Sequence, residues 1–153
     1  MSERGELRKN VKFTESQLVV PNDTAYLGLI GSYVAYVARL MGFSEGDIAR
    51  IRLAVDEACT NVIDHAYPPG ERAHFSVTCD CQADALRIAV WDGGQPFDLD
   101  RVPLPDLEAP LEKRKIGGLG IYLMRKVMDE VHLCEREEGK EVVLIKRLPL
   151  SRK

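Results

Sequence analysis

Apolar residues recur along this chain with two periods, and the changes between them divide it into elements. From Val11 to Val20 apolar positions are interspersed with polar ones and the run stops at Pro21, which predicts a first strand. Asn22-Asp23-Thr24 then offers cap chemistry, and Leu27, Ile30, Val34, Val37 and Met41 follow at helical spacing as far as Gly42. Ser44 and Asp47 form a capping-box-like pair ahead of a second helix. Its stripe of Ile48, Ile51, Val55, Ala58 and Val62 carries it to about Ala66, where Tyr67-Pro68-Pro69-Gly70 ends it. The period then falls to two. Phe75, Val77, Cys79 and Cys81 alternate with other residues, as do Leu86, Ile88 and Val90, with a turn at residues 82–85 between them.

Residues 96–116 follow neither period. They hold Pro96, Pro103, Pro105 and Pro110, several acids and the basic run Lys113-Arg114-Lys115. A structureless stretch of that length inside a compact domain is expected to be a functional lid. A third helix starts at the glycines that follow, with Ile121, Met124, Val127, Met128 and Val131 as its stripe. A last hairpin pairs His132–Arg136 with Glu141–Leu148 around Glu137-Glu138-Gly139-Lys140. Residues 1–10 are polar and expected to be disordered, leaving 11–150 as a single domain without internal repeats. The order strand, two helices, two strands, lid, helix, two strands predicts an α+β fold with a mostly antiparallel sheet covered by helices on one face.

Composition narrows the function classes. The chain has 153 residues, 45% hydrophobic and 29% charged, which is globular rather than disordered, and its net charge of −3 leaves no basic footprint for nucleic acid. It shows no apolar run of signal-peptide type and none approaching the roughly 20 residues that span a bilayer, so the expected location is the cytoplasm, without a membrane partner. The four cysteines form no Cys-x-x-Cys and no zinc spacing with His74 or His132. They are expected to be reduced and mostly buried.

Three short segments carry candidate chemistry. Glu57 and Asn61 are four apart on the second helix, about 6 Å along its axis and about 100° off the centre of the apolar stripe. From that flank an amide oxygen can ligate magnesium, and a carboxylate one turn earlier can act as general base beside a γ-phosphate. A solvated Glu and Asn would produce the same pattern. Asp92 ends an apolar strand ahead of Gly93-Gly94, so its carboxylate needs donors, of which an adenine amino group is one, although Asp-Gly is also an ordinary turn dipeptide. Gly117-Gly118-Leu119-Gly120 opens the third helix, where backbone N–H groups and the helix dipole suit phosphate oxygens. A lid hinge or a close packing crossing needs the same residues. Lys115, with Lys113 and Arg114, either adds charge to a triphosphate or is solvated. The joint order is more specific than any member.

The run Asp56-Glu57-Ala58-Cys59-Thr60-Asn61-Val62-Ile63-Asp64-His65-Ala66-Tyr67 and the run Gly117-Gly118-Leu119-Gly120-Ile121-Tyr122-Leu123-Met124 closely resemble bacterial anti-sigma-factor serine/threonine-protein kinases. These belong to the Bergerat-fold (GHKL) ATPases, with gyrase, histidine kinases and MutL. The resemblance covers nearly the whole chain. It implies a two-layer α/β sandwich that binds ATP and Mg2+ under a lid at about 96–116. It further implies a kinase that phosphorylates a serine on a small STAS-type antagonist, sequesters a sigma factor in its other state, and forms a homodimer. By the same resemblance Glu57 is the catalytic base, Asn61 the Mg2+ ligand, Asp92 the adenine-reading carboxylate and Gly94 its partner. Gly117, Gly118, Leu119 and Gly120 form the phosphate loop, with Lys115 just before it.

Two departures stand out. The superfamily's Asp-x-Gly-x-Gly ends here in Pro96, and the Thr expected near the start of the last strand falls nearest to Glu141. His65 and Trp91 are expected to pack, His65 alternatively to hydrogen-bond at the helix end, rather than to carry chemistry. A competing reading is an ATP-gated binding module without kinase activity. A detached histidine-kinase domain lacks an acceptor His on a dimerising helix, since His65, His74 and His132 form no such pattern.

Overall fold

Each predicted stripe becomes the buried side of an element, and together they build one sheet under three helices. The computed structural model describes residues 14–96 and 116–149, with the backbone alone at 116–119. Strand β1 spans Glu15–Pro21; helix α1 is Leu27–Met41, entered through a 3-10 turn at Thr24–Tyr26; helix α2 is Glu45–Asn61. Then come β2 (His74–Cys81), β3 (Ala85–Asp92), α3 (Ile116–Val127), β4 (Glu130–Glu135) and β5 (Lys140–Arg147). The expected N-terminal disorder, the start of the first strand at Val11 and the lid between Pro96 and Ile116 lie outside the described residues.

The cap signals work as the sequence indicates. Asp23 accepts from the Ala25 amide at 2.9 Å, and Ser44 accepts from the Asp47 amide at 3.1 Å. Gly42 closes α1 in the left-handed conformation, φ +93°, with its N–H on the carbonyls of Ala38 and Arg39. Helix α2 differs from expectation at its end. Its α-helical part stops at Asn61, and Val62–Ala66 continues as a π-helical turn before Tyr67 becomes extended. The π turn ends at Ala66, whose carbonyl lies at the edge of the site.

All strand pairs are antiparallel and the order is β1-β2-β3-β5-β4. Val20, Phe75, Val77, Cys79, Leu86, Ile88, Val90, Val142 and Leu144 form the inner face of the sheet. They pack against Ile30, Val34 and Val37 of α1, Ile48, Ile51, Val55 and Ala58 of α2, and Ile121 and Met124 of α3. This is the two-layer α+β architecture expected, with the helices on one face. Period two dictates that Asp92 and its cross-strand partner Lys140 also belong to the inner face, at one end of it. The third helix is shorter than its stripe suggests: Met128 follows its end, and Val131 belongs to β4.

All four cysteines are free; Cys59 and Cys79 are buried, Cys81 and Cys134 half-buried. Burial pushes the Cys79 thiol up to about 12 and the Cys59 thiol up as well, which leaves both protonated and unreactive. Among the described residues no helix is long and apolar enough to cross a membrane.

Candidate nucleotide site

Helix α2 is the spine of the site. Its core stripe fixes its rotation, so Glu57 and Asn61 come out half-buried on the flank instead of in the core. Helix α3 meets that flank at Gly120. A Cβ built on Gly120 would lie 3.1 Å from Glu57 Oε2 and 3.2 Å from Asn61 Nδ2, so the glycine lets the helix start come right up to both side chains. The carboxylate, the amide and the last glycine of the loop therefore meet at one place. Of the other loop residues, Gly117, Gly118 and Leu119 lie in α3, while Lys115 falls outside the described residues.

Among the described residues nothing hydrogen-bonds or ion-pairs with the side chain of Glu57 or Asn61. Burial raises the affinity of Glu57 for its proton above the ordinary carboxylate value, and the neighbouring charge of Asp56 adds to it. Such a carboxylate is a stronger base once ionised. The sign for stability follows: the raised value means the neutral form suits the fold better, a contribution lost as pH rises through the native titration. Glu57→Gln is therefore expected to raise the melting temperature at neutral pH and to leave it unchanged well below the carboxylate range, measured by thermal melts at both.

The Asp92 end of the site is tied to the same helix. The Ala66 carbonyl, at the end of the π turn, accepts from Gln95 N at 2.8 Å, and Tyr67 Oη accepts from Gly93 N at 3.0 Å. A Cβ on Gly94 would lie 2.1 Å from that carbonyl oxygen, so here the glycine is required by protein packing before any ligand is considered. Asp92 is 2% exposed and accepts at Oδ1 from Gly94 N at 2.9 Å. It also accepts, again at Oδ1, from Lys140 Nζ at 2.7 Å. The ammonium reaches the Gln95 carbonyl as well. Breaking a buried pair of this kind by removing one partner costs about 3–5 kcal/mol.

Lys140 is the residue the sequence reading missed. The run Glu137-Glu138-Gly139-Lys140 looks like turn chemistry, but the turn closes at Arg136 N to Gly139 O and Lys140 already begins β5, opposite Asp92. The alternation Lys140, Val142, Leu144 was the available signal. Glu141, the position nearest the expected Thr, pairs with Trp91 on the outer face of the sheet. There its carboxylate is 2.8 Å from Arg136 and 3.8 Å from Arg87. It faces away from Asp92 and cannot close the same pocket. Trp91 is a sheet residue as expected, donating from Nε1 to the Glu138 carbonyl at 2.9 Å. A shallow pocket lined by Val19, His74, Ser76, Thr78, Trp91 and Glu141 lies on that outer face and is separate from the site. His65 is exposed on the π turn, and neither the packing nor the hydrogen-bonding role is found for it among the described residues. Pro96 is exposed just past the anchored turn.

Residues 20–146 match the family model described as the histidine kinase-like ATPase domain. The chain belongs to that family. Serine-protein kinase RsbW of Halalkalibacterium halodurans is 36% identical over 132 residues, covering 84% of this chain and 78% of that protein. The Bacillus cereus protein of the same name is 32% identical over 139 residues, 88% of this chain and 86% of its own length. Among solved structures, the RsbU and RsbW domains of a Mycobacterium tuberculosis protein align with a TM-score of 0.60 at 18% identity, over 87% of this chain and 32% of that one. A blue-light-activated histidine kinase domain from Erythrobacter litoralis gives 0.50 at 22% identity, over 81% and 60%. At these identities the structural likenesses speak to the fold, which they share with this family member.

Gly120→Ala tests the meeting point. The atoms nearest the new methyl group are the far ends of two flexible side chains, so the fold should tolerate it. The Glu57 carboxylate and the Asn61 amide, however, would shift by a few tenths of an ångström. A misplacement of about 1 Å can cost 10²-fold, so a drop of roughly 10-fold in turnover at little change in melting temperature is expected, read by steady-state kinetics beside thermal melts.

Proposed function

We propose that this chain is an ATP-dependent protein-serine kinase whose acceptor is a small STAS-type antagonist, and that in its other state it sequesters a sigma factor, as a homodimer in the cytoplasm. The observation that carries the kinase reading is the convergence of Glu57, Asn61 and the Gly120 helix start. The names of the relatives supply the acceptor hydroxyl class, and the resemblance in the two long runs supplies the partners.

In this reading the acceptor serine hydroxyl lies beside Glu57. Its proton passes to the Glu57 carboxylate as the oxygen bonds to the γ-phosphorus, and the bond from that phosphorus to the bridging oxygen breaks to release ADP. The start of α3 turns backbone N–H groups toward the phosphates. Asp92 accepts from the adenine amino group. Mg2+, when bound, neutralises phosphate charge, and Asn61 would hold it. The donor set suits that ion, because Mg2+ takes one or two protein oxygens and fills its shell with water and phosphate. Among the described residues no group of three His, Cys, Asp or Glu is placed to hold a metal.

The test is to incubate the chain with ATP and STAS-type proteins and measure intact masses. One acid-stable phosphoryl group on a serine of the partner supports the kinase. Nucleotide-dependent binding with no phosphate on any partner supports the alternative, an ATP-gated binding module. The half-buried Glu57 carboxylate beside Gly120 favours the kinase, since a module that only binds has no use for a base.

A further inference from the structure

We propose that Lys140 is a positioning residue for the nucleotide base, setting which oxygen of Asp92 meets the base and thereby the preference for an amino-bearing purine. The inference rests on the reading of Asp92 as the carboxylate that faces the base. Nothing in the resemblance assigns Lys140 a role, and the position nearest the expected Thr, Glu141, is turned to the other face of the sheet.

The two hydrogen bonds that the described residues make to Asp92 both fall on Oδ1, one from Gly94 N and one from Lys140 Nζ. No described residue donates to Oδ2. A carboxylate has two equivalent oxygens, and rotation about its last bond exchanges them unless something holds one. Lys140 does so from a different strand. Its ammonium spans Asp92 Oδ1 and the Gln95 carbonyl, which joins the start of β5 to the end of β3 and to the turn beyond it. At 8% exposure for Lys140 and 2% for Asp92, water competes little for these contacts. With Oδ1 occupied, Oδ2 is the acceptor that the described residues leave for a ligand, and the contacts on Oδ1 set its direction. An acceptor fixed in this way favours a base that offers an N–H donor. A base with a carbonyl at the same place presents oxygen to oxygen.

The experiment titrates ATP and inosine triphosphate, which carries a 6-oxo group in place of the 6-amino group, against the full chain. It compares the parent with Lys140→Met, Lys140→Gln, Lys140→Arg and Asp92→Asn, checking each by circular dichroism. The parent is expected to prefer ATP. Lys140→Met should weaken ATP binding by roughly 10–100-fold, the range for a hydrogen bond to a charged group, and inosine triphosphate binding far less, so that the preference collapses. Lys140→Gln should fall between, and Lys140→Arg should recover most of the preference. A purely structural role would weaken both nucleotides together, so an unchanged ratio in Lys140→Met overturns the proposal even if affinity falls. Should the Met variant not fold, an unchanged ratio in Lys140→Gln overturns it equally. If Asp92→Asn lowers the preference while the Lys140 variants keep it, the reading of Asp92 stands and only the role of Lys140 fails. If Asp92→Asn leaves the preference intact, the reading of Asp92 fails and takes the role of Lys140 with it.

Discussion

Glu57→Ala is expected to lower phosphoryl transfer to an acceptor serine by roughly 10²–10⁴-fold while ATP affinity stays close to that of the parent. The separation follows from where the side chain sits. Glu57 is on the flank of α2, outside the Ile51, Val55, Ala58 stripe that docks the helix, so its truncation leaves the packing alone. It makes no described hydrogen bond, so no partner is stranded by its loss. What disappears is a carboxylate whose proton affinity is raised by burial and by Asp56, placed against the helix start that would receive the phosphates. In the proposed reading, nucleotide binding runs through Asp92 and the glycine segment and does not use it. Single-turnover transfer and a nucleotide titration on the same preparation separate the two quantities. Full-rate transfer by the variant would remove Glu57 from the mechanism. The pH profile gives a second check: because the base works ionised, transfer should rise with pH through a titration above the ordinary glutamate value, and that limb should vanish in the variant.

Gly94→Ala is expected to be strongly destabilising. The added methyl carbon would sit 2.1 Å from the Ala66 carbonyl oxygen, 2.7 Å from its carbon and 2.9 Å from the Ala66 Cβ. These atoms are backbone or directly attached to it, so relief requires moving the π turn away from the Asp92 turn. That movement breaks the Gln95 N to Ala66 O bond and disturbs the Gly94 N to Asp92 Oδ1 bond beside the Lys140 pair. Overpacking against backbone combined with lost buried hydrogen bonds is expected to cost about 3 kcal/mol, which for a chain of this size lowers the melting temperature by roughly 6–12 °C. Gly28→Ala is the control. Gly28 is inside α1, where an added methyl group would meet nothing within 4 Å, and alanine there should stabilise by about 0.5–1 kcal/mol. A Gly94→Ala melt that matches the parent would mean that the turn can yield without cost.

The contrast between these two glycines also marks where sequence reading reaches its limit. Periodicity makes the core legible: Ile30, Val34, Val37, Ile48, Ile51, Val55 and Ala58 are all buried, and Ser44 and Gly42 cap the helices their positions suggest. Spacing on α2 also places Glu57 and Asn61 on a shared flank. Strand register is not legible, because nothing local says where β5 begins. Local chemistry therefore assigns Lys140 to the turn, and matches Glu141 to a pocket on whose far side it lies. The π turn is invisible for a similar reason, since the apolar stripe runs through Val62 to Ala66 without a break while the hydrogen-bond pattern changes. Gly94 can be assigned to the base from its neighbours, but its contact with Ala66 depends on the packing of two elements distant in sequence.

The tip of the last hairpin looks by position like an expendable corner, the place where a label or an inserted peptide would ordinarily be put. Gly139 makes it otherwise. With φ at +94° and a would-be Cβ 2.0 Å from the Asp92 carbonyl oxygen, the tip is wedged against the end of the strand that carries Asp92. A tag inserted there would work as a crowbar on the nucleotide site. Gly70, also at positive φ but with open space around it, marks the connection between α2 and β2 as the sounder place to graft one.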